Sequence, residues 1–379
     1  MAKDILDAVY GCIIGGAIGD ALGAPVEGWY WSDIRARYGR ITELMPGFGN
    51  TGPCYGGTTG DRYGEAYDGP TPVVGWFSDD TTMRHYLALA IARKGGRVTP
   101  DDLRDVLVKK LNPDRVWVNE RALLWKLKAG VDPWESGRGM VPAGCATMMI
   151  APVGIINAGN PAQAYQDGWN IASINQEGHN RDGAATMAAG VAAAFLPGAT
   201  VESVLETMTR YSSCYIRRGI ELTMDLARDS HSIDEFAEKY YARMLDWSWP
   251  IPPGHRWNKN RFFSGNSIEL IPITMAILYL CGGDVNQSMI EAASFGRDCD
   301  TTASMAGSIA GALHGASAIR QDWIETVERA NQDFFQEVEG DPQANFFSMA
   351  QRLVEALRAE RRAAQDRLAI LDRILGTVK

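Results

Sequence analysis

Two stretches of the sequence, ILDAVYGCIIGGAIGDALGA at residues 5–24 and TASMAGSIAGALHGA at residues 302–316, carry a glycine at every fourth position. The glycines are Gly11, Gly15, Gly19 and Gly23 in the first stretch, and Gly307, Gly311 and Gly315 in the second. This spacing places each set on one face of a helix, where another backbone can approach closely. Because a glycine inside a helix costs about 1 kcal/mol relative to alanine, compensating contacts are expected. The pattern therefore predicts two tightly packed core helices.

Most of the remaining chain also has helical periodicity, and few stretches alternate with period two. Helices are predicted over residues 5–24, 81–94, 101–111, 117–128, 161–174, 183–195, 201–211, 234–245, 267–281, 286–294, 302–316, 322–337 and 343–375. The sequence therefore predicts an all-α fold. Glycine and proline concentrate at 46–75, 130–144 and 248–254. The first of these segments is predicted to be a long loop, of the kind that often serves as a functional lid.

The composition is that of an ordinary globular protein, with 46% hydrophobic and 22% charged residues among 379. The net charge of −9 and the lack of a long Lys/Arg run argue against bulk binding of nucleic acid. Six scattered cysteines without a CxxC pair predict reduced thiols and a cytoplasmic protein. Asp4, Asp7 and Asp20 argue against a signal peptide, and no membrane-spanning helix is predicted.

The first acidic cluster (residues 78–81, Ser-Asp-Asp-Thr) lies between the glycine-rich loop and an apolar helix. Ser78 or Asp79 could cap that helix, and carboxylates are favoured at a helix N-terminus by the helix dipole. Capping alone does not explain why several consecutive side chains carry oxygen. Hard cations such as Mg²⁺, Mn²⁺ and Ca²⁺ prefer ligands of this kind.

The second acidic cluster (residues 298–301, Asp-Cys-Asp-Thr) precedes the second glycine-rich helix. Asp298 and Asp300 are two positions apart, about 200° around a helix, and so do not share a helical face. We expect them to converge from a turn, with the helix beginning near Thr301. Two such clusters in one chain favour an oxygen-ligated metal site over two separate helix caps.

Three motifs in order carry a resemblance to a known family. They are Gly15-x-x-x-Gly19-Asp20-Ala21-Leu22-Gly23-x-Pro25-x-Glu27, Ser78-Asp79-Asp80-Thr81, and Gly296-x-Asp298-x-Asp300-Thr301-x-Ala303 followed by Gly307-Ser308-Ile309-Ala310-Gly311-Ala312. With them the chain resembles the ADP-ribosylglycohydrolase family, which includes the dinitrogenase reductase-activating glycohydrolases, over roughly residues 5–325. The resemblance implies a compact, single-domain orthogonal helical bundle, with a catalytic domain at 1–340.

The resemblance also implies a hydrolase that cleaves a ribosyl glycosidic bond, either ADP-ribosyl or a related N- or O-glycoside. Two divalent cations, Mg²⁺ or Mn²⁺, would orient the ribose hydroxyls and activate a water molecule. Carried over by position, the metal ligands are Ser78, Asp79, Asp80, Asp298, Asp300 and Thr301. Glu27 would lie beside the metals as a ligand or as the acid/base. The implied catalytic residues are Glu27, Asp79 and Asp300.

On the substrate side, the resemblance suggests contacts from His179, Asn180, Gly144 and Cys145. Gly144 stands where many relatives carry asparagine, and Met149 stands where many carry arginine. These differences keep hydrolysis plausible but leave the substrate open: an ADP-ribosyl group on a small molecule or macromolecule, or a smaller nucleoside.

Two other classes of function remain open. One is a non-catalytic ligand-binding or structural member of the fold, although retention of mutually repelling carboxylates argues against it. The other is a metal-dependent phosphoesterase. His255, with Trp247, Trp249 and Trp257 nearby in sequence, could form one wall of a pocket or belong to the core.

The C-terminal segment, residues 341–379, is predicted to form an amphipathic helix beyond the catalytic domain. Its apolar positions are Leu353, Leu357, Ala364, Leu368, Leu371 and Leu375. This face could pack on the same chain or form a homodimer contact.

Overall fold

The computed structural model describes residues 4–46, 73–247 and 265–376. Within these ranges the chain forms eighteen α-helices and no β-strand, so the all-α prediction is confirmed. The helices are α1 (Ile5–Gly23), α2 (Trp31–Tyr38), α3 (Asp79–Lys94), α4 (Pro100–Lys110), α5 (Val118–Lys128), α6 (Cys145–Met149), α7 (Ala151–Ile156), α8 (Pro161–Ala172), α9 (His179–Ala194), α10 (Val201–Tyr211), α11 (Cys214–Arg228), α12 (Ile233–Trp247), α13 (Ser267–Leu280), α14 (Val285–Phe295), α15 (Cys299–His314), α16 (Gln321–Ala330), α17 (Gln332–Glu339) and α18 (Phe346–Leu375).

Several helices differ from the prediction. Helices α2, α6, α7 and α11 were not predicted, and the single helix expected at 322–337 is divided into α16 and α17. Helix α15 begins at Cys299, two residues before the expected start, with Asp298 at its N-cap position. Most of the predicted 46–75 loop lies outside the described residues, as do His255, Trp249 and Trp257.

The glycine faces of α1 and α15 pack directly against each other in antiparallel orientation. A Cβ atom added at Gly11 would lie 2.4 Å from the carbonyl oxygen of Gly311. One added at Gly15 would lie 2.5 Å from that of Gly307. The prediction of two tightly packed core helices is confirmed.

Helix α1 is strongly hydrophobic because it is buried in the core. The segment Ile5–Val26 is long and apolar enough to span a membrane, which the sequence argument based on its aspartates overlooked. However, 78% of its apolar window is buried inside the protein. We therefore assign α1 as the central core helix.

Helix α18 has two halves with different surroundings. In the first half, Phe346, Met349 and Leu353 are buried against α1, α3 and α7. From residue 361 to residue 376, every residue is exposed except Asp372, which is half-buried. The first half thus completes the core of the body, whereas the second half projects from it.

Candidate metal centre

Glu27, Asp298 and Asp300 form a buried carboxylate cluster where α1 ends and α15 begins. One carboxylate oxygen of each lies within 4.8 Å of the other two. Gly23, at the end of α1, is the reason that α15 can come so close. A Cβ atom at Gly23 would lie 2.4 Å from the Cα atom of Asp300. The glycine face therefore determines the position of a predicted metal ligand.

A short backbone pairing brings Glu27 to the second acidic cluster. The Gly28 N–H donates to the Arg297 carbonyl oxygen at 2.5 Å, and the Arg297 N–H donates to that of Trp29 at 2.6 Å. Tyr30 and Gly296 form an isolated antiparallel bridge next to these bonds. Each segment is only a few residues long, so the sequence has no strand periodicity from which this pairing could be predicted.

Arg297 holds the turn before Asp298 in an uncommon conformation. Among the described residues, Arg297 is the only non-glycine residue with a positive φ, at +63°. Its guanidinium is 1% exposed and forms an ion pair with Glu269 of α13, with Nη2 2.9 Å from Oε2. Left-handed backbone is unfavourable for a bulky residue and persists where surrounding contacts enforce it. This buried ion pair supplies such a contact.

The first acidic cluster is held in place by Asp20 of α1. The Asp20 carboxylate accepts hydrogen bonds from the Ser78 N–H at 2.9 Å and from the Thr81 N–H at 3.0 Å. It also accepts one from the Thr81 hydroxyl at 2.6 Å. Ser78 caps α3, and its Oγ accepts from the Asp80 N–H at 3.2 Å. Asp20 therefore acts as a tie between α1 and the start of α3.

The two acidic clusters meet at Asp80 and Asp300. Asp80 Oδ2 and Asp300 Oδ1 are buried, and neither has a hydrogen-bond partner among the described residues. Burial, together with the neighbouring Asp300, raises the pKa of Asp80 well above its usual value. Burial and Asp298 do the same to the pKa of Asp300. Carboxylates in this state need either protons or cations.

The other acids of the centre are perturbed in the same direction. Burial and the charge of Glu27 raise the pKa of Asp298, partly offset by a hydrogen bond with Thr301. Burial and the charge of Asp20 raise the pKa of Asp79 to about 6. The Trp117 N–H lies 3.4 Å from Asp79 Oδ2. Negative charge is therefore concentrated in one buried volume.

Arg84 is a buried positive charge close to the carboxylates of Asp80 and Asp20, and the sequence analysis did not identify it. It is 3% exposed, and its Nη2 donates to the Met148 carbonyl oxygen at 3.1 Å and to the Ser304 hydroxyl. Gly16 provides the space, since a Cβ atom there would lie 2.2 Å from Arg84 Nη1. The Arg84 charge lowers the pKa values of Asp80 and Asp20 against the effect of burial.

Glu120 of α5 is a second charged residue that sequence reasoning missed. It is fully buried, and neither carboxylate oxygen makes a well-formed hydrogen bond with a described residue. Burial, together with the charge of Asp79, raises the pKa of Glu120 to about 8. The Cys145 thiol lies against it and accepts from Asn119 Nδ2 at 3.4 Å. Glu120 thus extends the acidic region from Asp79 toward the predicted substrate side.

The predicted substrate residues lie where the N-termini of α6, α9 and α13 come together. The Gly144 N–H donates to the Gly265 carbonyl oxygen at 2.5 Å. His179 Nε2 lies 2.9 Å from Asn266 Oδ1. Asn180 Oδ1 accepts from the Ser267 N–H at 3.0 Å. The structure therefore places Gly144, His179 and Asn180 around the start of α13.

Met149 lies at the C-terminal end of α6. Its side chain is fully buried, and its sulfur atom lies 3.9 Å from Asn175 Nδ2. Met149 is therefore a core residue.

The donor set of the centre fits a hard divalent cation. Carboxylate and hydroxyl oxygens dominate it, and the intervening Cys299 points its thiol toward the Gly23 carbonyl oxygen at 3.5 Å. The Ser78 hydroxyl keeps a lone pair beyond its capping bond. Unpartnered oxygens on Asp80 and Asp300 are available as ligands. Cations at this point would neutralise the mutual repulsion.

The comparisons with known proteins identify the family and the fold. The profile of the ADP-ribosylglycohydrolase family matches residues 1–363. The "Uncharacterized protein YegU" of Escherichia coli (strain K12) is 25% identical over 348 residues, spanning 86% of this chain and 93% of that protein. An uncharacterized protein of Archaeoglobus fulgidus is 25% identical over 334 residues, with the same shares of each chain. A solved structure named "ADP-ribosylglycohydrolase-related protein complex" shares the fold, with a TM-score of 0.63 and 20% identity over 94% of this chain and 99% of that one. The chain belongs to the ADP-ribosylglycohydrolase family.

Proposed function

We propose that this protein hydrolyses a ribosyl glycosidic bond at a centre that binds two divalent cations. The observation that carries the proposal is the cluster of Glu27, Asp298 and Asp300, with carboxylate oxygens within 4.8 Å of one another. Their burial beside Asp80 would be strongly unfavourable for four charged groups without bound cations. Membership of a glycohydrolase family supports the reaction class.

The proposed ligands come from both acidic clusters. They are Ser78, Asp79, Asp80, Asp298, Asp300 and Thr301, with Glu27 beside them. Two divalent ions such as Mg²⁺ or Mn²⁺, when bound there, orient the ribose hydroxyls and polarise a water molecule. Fixed carboxylates around the reacting carbon favour the positive charge that develops as the glycosidic bond breaks.

Glu27 is the proposed acid/base. It lies just after the short 3₁₀ helix Ala24–Val26, and the adjacent Gly28–Arg297 hydrogen bond holds its backbone. Glu27 is 6% exposed, so it is largely shielded from bulk solvent. The carboxylate would accept a proton from the attacking water or pass one to the leaving group.

The test combines metal content with product analysis for the wild type and Asp300→Ala. Wild-type protein supplied with Mg²⁺ or Mn²⁺ is expected to release free ADP-ribose, or ribose, from at least one member of a panel. The panel contains ADP-ribosyl-arginine, ADP-ribosyl-serine and a set of nucleosides. Asp300→Ala is expected to lose bound metal by elemental analysis and to lose at least about 100-fold in kcat/KM.

A matched control is Asp101→Asn, which removes a carboxylate at the exposed start of α4. It is expected to retain metal and activity. Full metal occupancy and unchanged hydrolysis in Asp300→Ala would refute the proposal. Release of AMP from the ADP-ribosyl substrates would instead indicate attack at phosphate.

A smaller nucleoside-type substrate is the second candidate. The observation that favours it is the burial of Met149 at the position where many relatives carry arginine. Gly144 likewise has only backbone atoms with which to contact a substrate, and its N–H already donates a hydrogen bond to the Gly265 carbonyl oxygen. Activity confined to the nucleosides of the panel would support this candidate over an ADP-ribosyl substrate.

A further inference from the structure

The second half of α18 leaves the body of the protein after Glu360. At this point Glu360 Oε1 accepts a hydrogen bond from the Arg97 N–H of the body at 2.9 Å. Residues 361–375 then project as a helix about 22 Å long. A helix with this much solvent around it usually has a polar surface.

The projecting helix instead carries an apolar stripe. Within eight residues, five large apolar side chains are between 39% and 72% exposed. They are Leu368, Ile370, Leu371, Ile374 and Leu375. A contiguous exposed apolar surface of this kind marks an interaction site.

The stripe continues the face by which α18 docks on its own body. Leu353 is buried against that body, and Leu357 is half-buried. Ala364 follows Leu357 by seven residues, and from Ala364 onward the spacing alternates between four and three through Leu368, Leu371 and Leu375. This is the a/d spacing of a coiled-coil seam. The seam is therefore covered in its first half and open in its second.

We propose that the open seam pairs with the same seam of a second copy of this chain, as a short antiparallel coiled coil. A two-fold axis near residues 369 and 370 places Leu368 opposite Leu371 of the second copy. The same axis places Ala364 opposite Leu375. Each pairing occurs twice by symmetry, which gives four layers with small residues facing large ones at the ends. The surface is thus complementary to itself, as an isologous dimer requires.

The antiparallel orientation follows from the shape of the protein. The seam points in the direction of the body below residue 360, because both halves of α18 share one face. A parallel second helix would run into that body. An antiparallel helix arrives from the opposite end, so that its own body lies beyond residue 375.

The size of this contact predicts a weak, reversible dimer. A coiled coil of two heptads buries on the order of 1,000 Å², near the lower limit for a specific interface. We therefore expect dimerisation in the micromolar range.

Sedimentation analysis of the full chain over a range of concentrations tests the proposal. The wild type is expected to shift from one chain mass toward two as the concentration rises. The double variant Leu368→Asp with Leu371→Asp is expected to weaken dimerisation by about 100-fold or more. Ala369→Asp, which adds the same charge on another side of the helix, is the matched control and is expected to dimerise normally.

Cysteine cross-linking tests the orientation. A mixture of Ala364→Cys and Leu375→Cys proteins is expected to form a disulfide-linked pair, whereas Ala364→Cys alone is not. Cross-linking of Ala364→Cys alone would indicate a parallel pair and overturn the proposed orientation. Protein without added cysteines gives the background.

Two outcomes would overturn the dimer itself. One is a wild type that stays monomeric at every concentration at which it is soluble. The other is a monomer that binds anionic lipid vesicles through the same leucines, which would assign the seam to a membrane surface. Circular dichroism of the double variant, expected to be unchanged apart from the projecting helix, separates lost pairing from lost folding.

Discussion

Arg84 and Glu120 are charged side chains that face the interior from otherwise apolar helix surfaces. Glu120 precedes Leu123, Leu124 and Leu127 at helical spacing, and all four are buried. A charged residue in such a row is rarely buried without a reason. That interruption of the apolar face is the signal by which the sequence could have identified Glu120 as part of the site.

A different buried acid, Glu339, fastens the C-terminal helices to α3. Its side chain is 8% exposed, with Oε1 2.9 Å from His85 Nε2, and it also pairs with Arg352 of α18. Burial by itself would raise the pKa of Glu339, but the hydrogen bond with His85 and the charge of Arg352 lower it below the usual 4.5. The charged form is therefore favoured by folding.

Glu339→Gln is expected to lower the free energy of unfolding at neutral pH by about 1–3 kcal/mol. Because the pKa is lower in the folded state, this contribution is complete above pH 4.5 and is lost as the pH falls through the folded-state pKa. The gap between variant and wild type should therefore narrow below pH 4.5. Urea unfolding at several pH values measures it.

Glu355→Gln provides the control for this measurement, because Glu355 pairs with Arg358 on the exposed surface of α18. Exposed pairs of this kind contribute little, so no clear change is expected. If Glu339→Gln lowered the free energy of unfolding by the same amount down to acidic pH, the destabilisation would come from packing and not from charge.

At the scale of elements, the close contact of α1 and α15 is what aligns the two acidic clusters. A Cβ atom at Gly307 would lie 2.2 Å from the Gly15 carbonyl oxygen, which cannot move independently of its helix. At Gly190 of α9, the atoms met by an added Cβ belong to the flexible Met208 side chain. The two glycines therefore differ in what surrounds them, although both lie inside helices.

Gly307→Ala is expected to destabilise the protein by about 1–3 kcal/mol, despite the better helix propensity of alanine. Gly190→Ala should cost less or be neutral, because Met208 can change rotamer. Denaturant midpoints of the two variants, compared with wild type, check the difference. Equal midpoints for both variants would contradict the backbone-contact explanation.

Helix positions were well predicted where amphipathic or glycine periodicity extends over several turns, as in α1, α10 and α15. Helices α6 and α7 were not predicted because each spans less than two turns, and every residue in them is buried, so neither shows an amphipathic period. In α11, buried Ile216, Ile220 and Met224 do show helical spacing. That pattern was available in the sequence and was overlooked.

At the scale of the whole molecule, the buried carboxylates of the centre lead us to expect that the protein is less stable alone than with the proposed cations bound. Burial raises the pKa values of Asp80, Asp298 and Asp300, and the negative charge of a neighbouring acid raises each of them further. Cations that bind only the folded state stabilise it by mass action.

Adding Mg²⁺ or Mn²⁺ at about 100 times its dissociation constant should stabilise the protein by about 2.7 kcal/mol. For a chain of this length that corresponds to roughly 3 °C in Tm. Differential scanning calorimetry with and without a chelator measures the shift. The shift should disappear in Asp300→Ala and persist in Asp101→Asn, and an identical shift in both variants would place the cation elsewhere.

The all-α class, the two close-packed glycine helices and the two acidic clusters could be predicted from the sequence, because each depends on local spacing and side-chain chemistry; the individual ligands came from the family resemblance. The resemblance implied that Glu27 lies beside the metal ligands, and the tertiary structure decided how it meets Asp298 and Asp300, since the Gly28–Arg297 pairing joins segments about 270 residues apart through a few backbone hydrogen bonds. It also decided that Asp20 ties α1 to α3, that Glu120 extends the acidic region, and that α18 is covered in only half of its length. Long-range contacts of this kind depend on how the helices pack, and packing leaves no periodic signature in any one segment.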